Sequence, residues 1–122
     1  IRWAVLKIFL VISKLELSKF QAILSEIHFG ITRILDFLNE SREMIRNDCI
    51  ILLISLSLND KNSQKILAFD NIFEKLLEII ENEGKIDGGI VVFDCFAIMK
   101  NILINNDCTQ KLFRELGFFF KI

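Results

Sequence analysis

Three cysteines, one histidine and a scatter of carboxylates are the residues of this 122-residue chain most able to do chemistry. Cys49 and Cys95 stand 46 residues apart in apolar stretches, each directly after an aspartate. A cysteine in such a stretch acts as a small hydrophobe, so both are expected in the core. Cys108 falls in a turn and is the candidate for reactivity. No Cys-x-x-Cys pair occurs, which removes the common zinc spacing and any evident disulfide frame. That usage suits a reducing compartment. His28 has no arrangement of Cys, Asp or Glu around it that would make a ligand set or a triad. Gly84-Lys85-Ile86 lacks the upstream glycine and the Ser/Thr of a phosphate-binding loop. No enzyme is expected, nor any cofactor or metal site.

One polar constellation stands out. Ser55 and Asn59 follow Asp48 by seven and eleven residues, and Asn101 and Asn105 follow Asp94 by the same intervals. Both intervals are close to whole helical turns, so each trio lies on one stripe. Polar residues on otherwise apolar helices must face water or a partner. The six form a candidate partner-binding groove, and a solvated face is the alternative. Trp3 suits an interaction hot spot, but packing is favoured because Val5, Leu6 and Leu10 share its helix. Glu74, Glu78, Glu81 and Glu83 read as a solvated face. Asn39-Glu40-Ser41 matches a glycosylation sequon, which stays unmodified in a cytosolic chain.

The elements that position these residues are helices. There is no proline, so no helix interior meets its strongest breaker. The 52% hydrophobic content is high for a 25% charged chain, which predicts extensive burial. A net charge of −1 gives no pull toward nucleic acid or anionic lipid. The longest apolar runs, Cys49 to Leu58 and Ile8 to Ile12, are too short to span a bilayer, which takes ~20 residues. Gln21-Ala22-Ile23-Leu24, Gln64-Lys65-Ile66-Leu67 and Gln110-Lys111-Leu112-Phe113 repeat one pattern at intervals of 43 and 46 residues. A period of this size marks a helical solenoid of the HEAT or armadillo kind.

Helices are predicted over Arg2 to Ser13, Ser18 to Ile27 with Ser18 as N-cap, Ile31 to Leu38, Arg42 to Leu58, Ser63 to Ala68, Ile72 to Ile80, Ile90 to Ile104 and Thr109 to Leu116, the last closed by Gly117. Residues 39–41, 59–62, 84–89 and 105–107 are predicted turns or loops. A three-helix repeat favours armadillo over HEAT. The expectation is an all-α, armadillo-type right-handed superhelical solenoid of about three repeats, in pieces near 1–17, 18–60, 61–106 and 107–122. Leu76, Leu77 and Ile80 are expected to be buried against the next long helix. The apolar end Phe118-Phe119-Phe120-Lys121-Ile122 and the first helix suggest a piece of a longer array, because solenoids close their ends with polar caps. Self-association through these ends is expected.

Several stretches carry a family resemblance: Ser41-Arg42-Glu43-Met44-Ile45-Arg46-Asn47-Asp48, Gln64-Lys65-Ile66-Leu67-Ala68-Phe69, Phe73-Glu74-Lys75-Leu76-Leu77-Glu78-Ile79-Ile80 and Asp87-Gly88-Gly89-Ile90-Val91-Val92. With Asp94-Cys95, Phe113-Arg114-Glu115 and Arg2-Trp3, the chain resembles the armadillo head of the golgin-type vesicle-tethering factors, also called general vesicular transport factors or vesicle docking proteins. The Gly-Gly-Ile-Val-Val run with its following Asp-Cys is the most specific part. Phe93 departs from an acidic family position, and many family leucines are Ile or Phe here. The resemblance implies a cytoplasmic protein peripherally associated with Golgi and ER-to-Golgi membranes, its membrane contact indirect. It implies a head that binds a Rab-type small GTPase and tethering complex subunits, and a coiled coil that makes a homodimer of the full-length protein. No nucleic-acid partner is expected. A generic armadillo adaptor that holds an extended peptide in its groove is the alternative. It calls for a Trp-x-x-x-Asn ladder, of which only Asn101 fits.

Overall fold

The computed structural model describes residues 2–27, 29–84 and 88–117. The readings of His28, of Lys85-Ile86-Asp87 and of the apolar end Phe118 to Ile122 lie outside the described residues. Eight α-helices and no strand are present among the described residues: α1 Arg2–Leu15, α2 Leu17–Glu26, α3 Gly30–Leu35, α4 Glu43–Leu56, α5 Lys61–Phe69, α6 Ile72–Asn82, α7 Gly89–Leu103 and α8 Asp107–Glu115. A 3₁₀ turn, Asp36–Asn39, continues α3.

The long helices α1, α4 and α7 pack in succession, α1 on α4 and α4 on α7. The short helices α2, α5 and α8 form a second succession beside them. Between the two, α3 with its 3₁₀ turn and α6 complete each unit, and α6 packs on α7. This is an armadillo-like solenoid. The core runs unbroken through it, with Leu6, Leu35, Leu52, Leu53, Leu56, Leu67, Phe73, Leu76 and Ile98 out of solvent. Phe73 meets Phe113 edge-on at 5.0 Å, joining α6 to α8. No unit could bury these residues alone, so stability belongs to the stack.

The repeated glutamines have a structural reason. The last carbonyls of a helix lack intrahelical donors. Gln21 Nε2 donates to Ser55 O (3.1 Å), Leu56 O (3.2 Å) and Leu58 O (2.9 Å) at the end of α4. Gln64 Nε2 donates to Ser57 O at 2.9 Å, and Gln110 Nε2 to Leu103 O, at the end of α7, at 2.7 Å. Asn106 Nδ2 then donates to Gln64 Oε1 at 3.0 Å, linking one unit to the next.

Several expectations change. Ser18 is not an N-cap: α2 begins at Leu17 after Glu16, with no side-chain cap. Lys61 and Asn62 are helical, because α5 starts directly after Asp60. Asp107 and Cys108 are likewise in the first turn of α8, which Asn106 caps by accepting from the Thr109 N–H at 3.3 Å. Leu77 is only half-buried, whereas Ile79 is buried with Leu76 and Ile80. The neighbours of α6 lie a little further round the helix than the periodicity implied. Gly117, at φ 76°, ends α8 as expected.

Four non-glycine residues adopt left-handed backbone among the described residues: Asn59, Asn71, Asn105 and Phe29. Asparagine visits that region at little cost, while a bulky side chain there costs roughly 1–2 kcal/mol. Asn71 precedes α6 and Phe29 precedes α3 at the corresponding corner.

Candidate functional site

Helix α4 has a long helix on either side, so whatever it exposes faces outward from the layer. The outward stripe of α4 and the turn that follows it holds Met44, Ile51 and Leu58, seven residues apart and 63%, 44% and 41% exposed. Asp48 and Ser55, both half-buried, alternate with them. The pattern recurs on α7 and just beyond it, where Ile90, Ala97 and Ile104 alternate with Asp94 and Asn101. On α1 the exposed apolar residues include Ile8, Ile12 and Leu15. The predicted polar stripe is therefore one half of a mixed stripe. Polar spacing alone misses the apolar half, although residues 44, 51 and 58 carry the same seven-residue interval as the polar ones.

The predicted groove residues play different parts. Asp48 Oδ2 accepts from Trp3 Nε1 at 2.7 Å and pairs with Lys7 Nζ at 3.0 Å, tying α1 to α4. Lys7 also lies 5.3 Å from the centre of the Trp3 ring. Trp3, expected to pack inside, is 39% exposed and held by its polar edge. Asn101 is not freely exposed, contrary to expectation. It is half-buried, and its Nδ2 donates to Ile54 O at 3.1 Å and Ser57 Oγ at 3.3 Å, pinning α7 to α4. Asn59 and Asn105 are exposed, with φ of 54° each, and turn the chain out of the two long helices. Asp94 is half-buried and makes no hydrogen bond or ion pair among the described residues. Ser55 contributes its carbonyl to Gln21. Of the six, Asp94 is the one charged group on the stripe left uncompensated among the described residues.

Nearby, Arg46 donates to Glu83 at 2.6 Å and to Asn47 Oδ1 at 2.9 Å, joining the start of α4 to the residue that closes α6. Cys49 and Cys95 are buried, as expected. Burial pushes both thiols up, Cys95 from 9.0 to about 12 and Cys49 further still. Both are neutral packing groups, and the Cys49 thiol donates to Ile34 O at 3.2 Å. Cys108 is exposed on α8. No group of three or more His, Cys, Asp or Glu side chains is placed to hold a metal ion among the described residues. No single helix there is long and apolar enough to cross a membrane.

No family model matches the chain. It is 43% identical over 115 residues to the general vesicular transport factor p115 of Homo sapiens, covering 94% of this chain and 12% of that protein. It is 41% identical over 88 residues to the intracellular protein transport protein USO1 of Saccharomyces cerevisiae, covering 72% of this chain and 5% of that protein. Golgin candidate 6 of Arabidopsis thaliana is 47% identical over 66 residues, 54% of this chain and 7% of that protein. The crystal structure of Uso1-2 superposes with a TM-score of 0.94 at 33% identity, over 98% of this chain and 18% of that one. That of Uso1-1 gives 0.91 at 34% identity, over 95% and 18%. The chain thus corresponds to a small part of the length of these relatives. Matching sequence and matching architecture over nearly all of its residues together show that this chain belongs to the p115/Uso1 family of vesicular transport factors.

Proposed function

We propose that this chain is part of a non-enzymatic interaction scaffold, the head of a tether acting in ER-to-Golgi and intra-Golgi vesicle traffic. The observation that carries the reading is its relation to proteins named as vesicular and intracellular protein transport factors. The structure supports a scaffold in a second way. A rigid layer of long helices carries a mixed apolar and polar stripe, and exposed apolar surface rimmed by polar groups suits protein association. On this reading the protein is cytoplasmic and reaches Golgi membranes through protein contacts. Its partners are a Rab-type GTPase and tethering complex subunits, and the full-length protein is a homodimer. The repeat pieces near 18–60 and 61–106 each supply one long helix to the surface. Met44, Ile51, Leu58, Asp94 and Ile104 supply the contact groups, while Asp48 and Asn101 hold the helices in place.

A Rab-type GTPase presents ordered switch segments only with GTP bound, so binding is expected to select that state. The test is a pull-down of the complete head with GTP-loaded and GDP-loaded Rab proteins of the ER-to-Golgi step. Retention of the GTP form alone is expected, weakened at least tenfold by Ile51→Glu together with Asp94→Lys, about 1.4 kcal/mol. Equal recovery of both forms, or of neither, overturns the Rab reading. Selective retention untouched by the double variant moves the contact to another face. Peptide capture, the alternative, relies on Asn101 as its ladder residue, and that amide is already engaged with Ile54 and Ser57.

A further inference from the structure

Asn101 fixes the direction of the polar half of the α7 stripe. Its amide donates to Ile54 O on α4, so this side of α7 faces α4. Asp94 lies seven residues earlier, two turns along the same side. The two therefore line the floor of the groove between α4 and α7. Its rims are the apolar rows, Met44, Ile51 and Leu58 on one side and Ile90, Ala97 and Ile104 on the other. Along each rim the residues are spaced by about 10.5 Å, two turns of helix. Ala97, one turn from Asp94, is the smallest rim residue, so the rim is lowest beside the carboxylate.

The neighbouring groove shows what an aspartate in this place binds. One unit earlier, Asp48 faces α1, where it accepts from Trp3 Nε1 at 2.7 Å and pairs with Lys7 Nζ at 3.0 Å. Trp3 and Lys7 are four residues apart, on one face of a helix. In the groove between α4 and α7 no donor takes that part, and Asp94 makes no hydrogen bond or ion pair among the described residues. Arg46 is the only lysine or arginine in α4, and it is held by Glu83 at 2.6 Å and by Asn47 at 2.9 Å. A half-buried carboxylate loses hydration that a paired cation restores in kind.

We propose, resting on the reading of the stripe as a contact surface but not on a GTPase as its partner, that this groove docks an amphipathic α-helix of a partner protein. The helix presents a lysine or arginine to Asp94 between apolar residues seven positions apart. A helix matches the rims because its side chains repeat at the same two-turn interval, so apolar knobs enter both rims in register. An extended strand rises ~3.3 Å per residue and turns a side chain to one face about every 6.6 Å, which falls out of step with the rims. Charge complementarity selects the cation. Asp94 is the uncompensated charge of the groove among the described residues, and a basic side chain there repeats what Lys7 does at Asp48.

The test uses the complete head and a fluorescent peptide of three Glu-Leu-Ala-Ala-Leu-Lys-Ala heptads, with arginine in place of the first leucine of the middle heptad. Fluorescence anisotropy reads binding. Versions with glutamate at the arginine position, or with proline in the middle heptad, stand alongside. Saturable binding of the arginine peptide is expected, about tenfold weaker for the glutamate and proline versions. Ile51→Glu should weaken it by a similar factor. Asp94→Lys should reverse the preference, so that the glutamate peptide binds better than the arginine one, a reversal that loss of folding does not produce. Absence of saturable binding at millimolar peptide, equal binding of the proline version, or an unreversed preference in the Asp94→Lys head overturns the proposal. The GTPase reading fails separately. Nucleotide-selective retention without peptide binding removes only the helix, and peptide binding without nucleotide selectivity removes only the GTPase.

Discussion

The indole Nε1 of Trp3 donates to Asp48 Oδ2 at 2.7 Å across 45 residues of sequence, and this bond, with Lys7 on the same carboxylate, locks the first long helix onto the second. Asp94, at the equivalent place one unit later, has no such partner among the described residues. Two aspartates alike in sequence thus differ in role: Asp48 ties two helices together, and Asp94 makes no such bond among the described residues. As the sole tryptophan, Trp3 reports on this junction. Asp48→Ala is expected to weaken α1 docking by ~0.5–1.5 kcal/mol, the scale of one hydrogen bond. In a urea titration the tryptophan-fluorescence midpoint should fall further than the circular-dichroism midpoint. Equal shifts by both probes would mean that α1 unfolds only with the whole stack.

Asn101→Ala should lower stability by ~1–2 kcal/mol, because it leaves the Ile54 carbonyl and the Ser57 hydroxyl without this donor. Asp94→Asn should stay within about 0.5 kcal/mol of the parent, as surface changes away from a network do. Urea unfolding of the two variants checks the contrast, and similar losses for both would contradict it.

Leu76 is fully buried and Leu77 half-buried on the same helix. Leu76→Ala is expected to cost ~2–5 kcal/mol, the range for a buried leucine. Leu77→Ala should cost about half as much or less, since burial energy scales with the apolar area withdrawn from water. Thermal melts of the pair decide it, and a larger loss for Leu77 would reverse the assigned face of α6.

Cys49 and Cys95 make an alkaline prediction. Burial raises the Cys95 thiol from 9.0 to about 12 and raises Cys49 as well. Below pH 9 the thiols are protonated in both folded and unfolded chains and do not affect the pH dependence. Above it the unfolded chain loses protons that the folded chain keeps, so stability falls with rising pH through the window up to about 12. The steepest slope is ~1.4 kcal/mol per pH unit for each thiol. Urea midpoints at pH 8, 9.5 and 10.5 test this, with Cys95→Ala expected to flatten the decline. A thiol reagent at pH 8 should label only the exposed Cys108 in the native chain, and all three cysteines after unfolding.

Local signals carried much of this protein. Helix periodicity, absence of proline and the recurring glutamines were enough to lay out the helices, the armadillo-like order and the buried cysteines. A helix is made by contacts between residues three and four apart, and these are written in neighbouring positions. The family motifs were legible for the same reason, being contiguous runs. What the tertiary structure alone decided was the occupation of each helix face. Whether Asp48 meets Trp3, Asn101 meets Ile54, or Ile79 is buried rather than Leu77 depends on helices that approach from distant parts of the chain. The same holds for the corner at Phe29 and for Lys61-Asn62, which sit in a helix where local polarity suggests a loop. A polar residue on a helix states only that its group needs a hydrogen-bonding partner; the packing of the next helix decides whether that partner is protein or solvent.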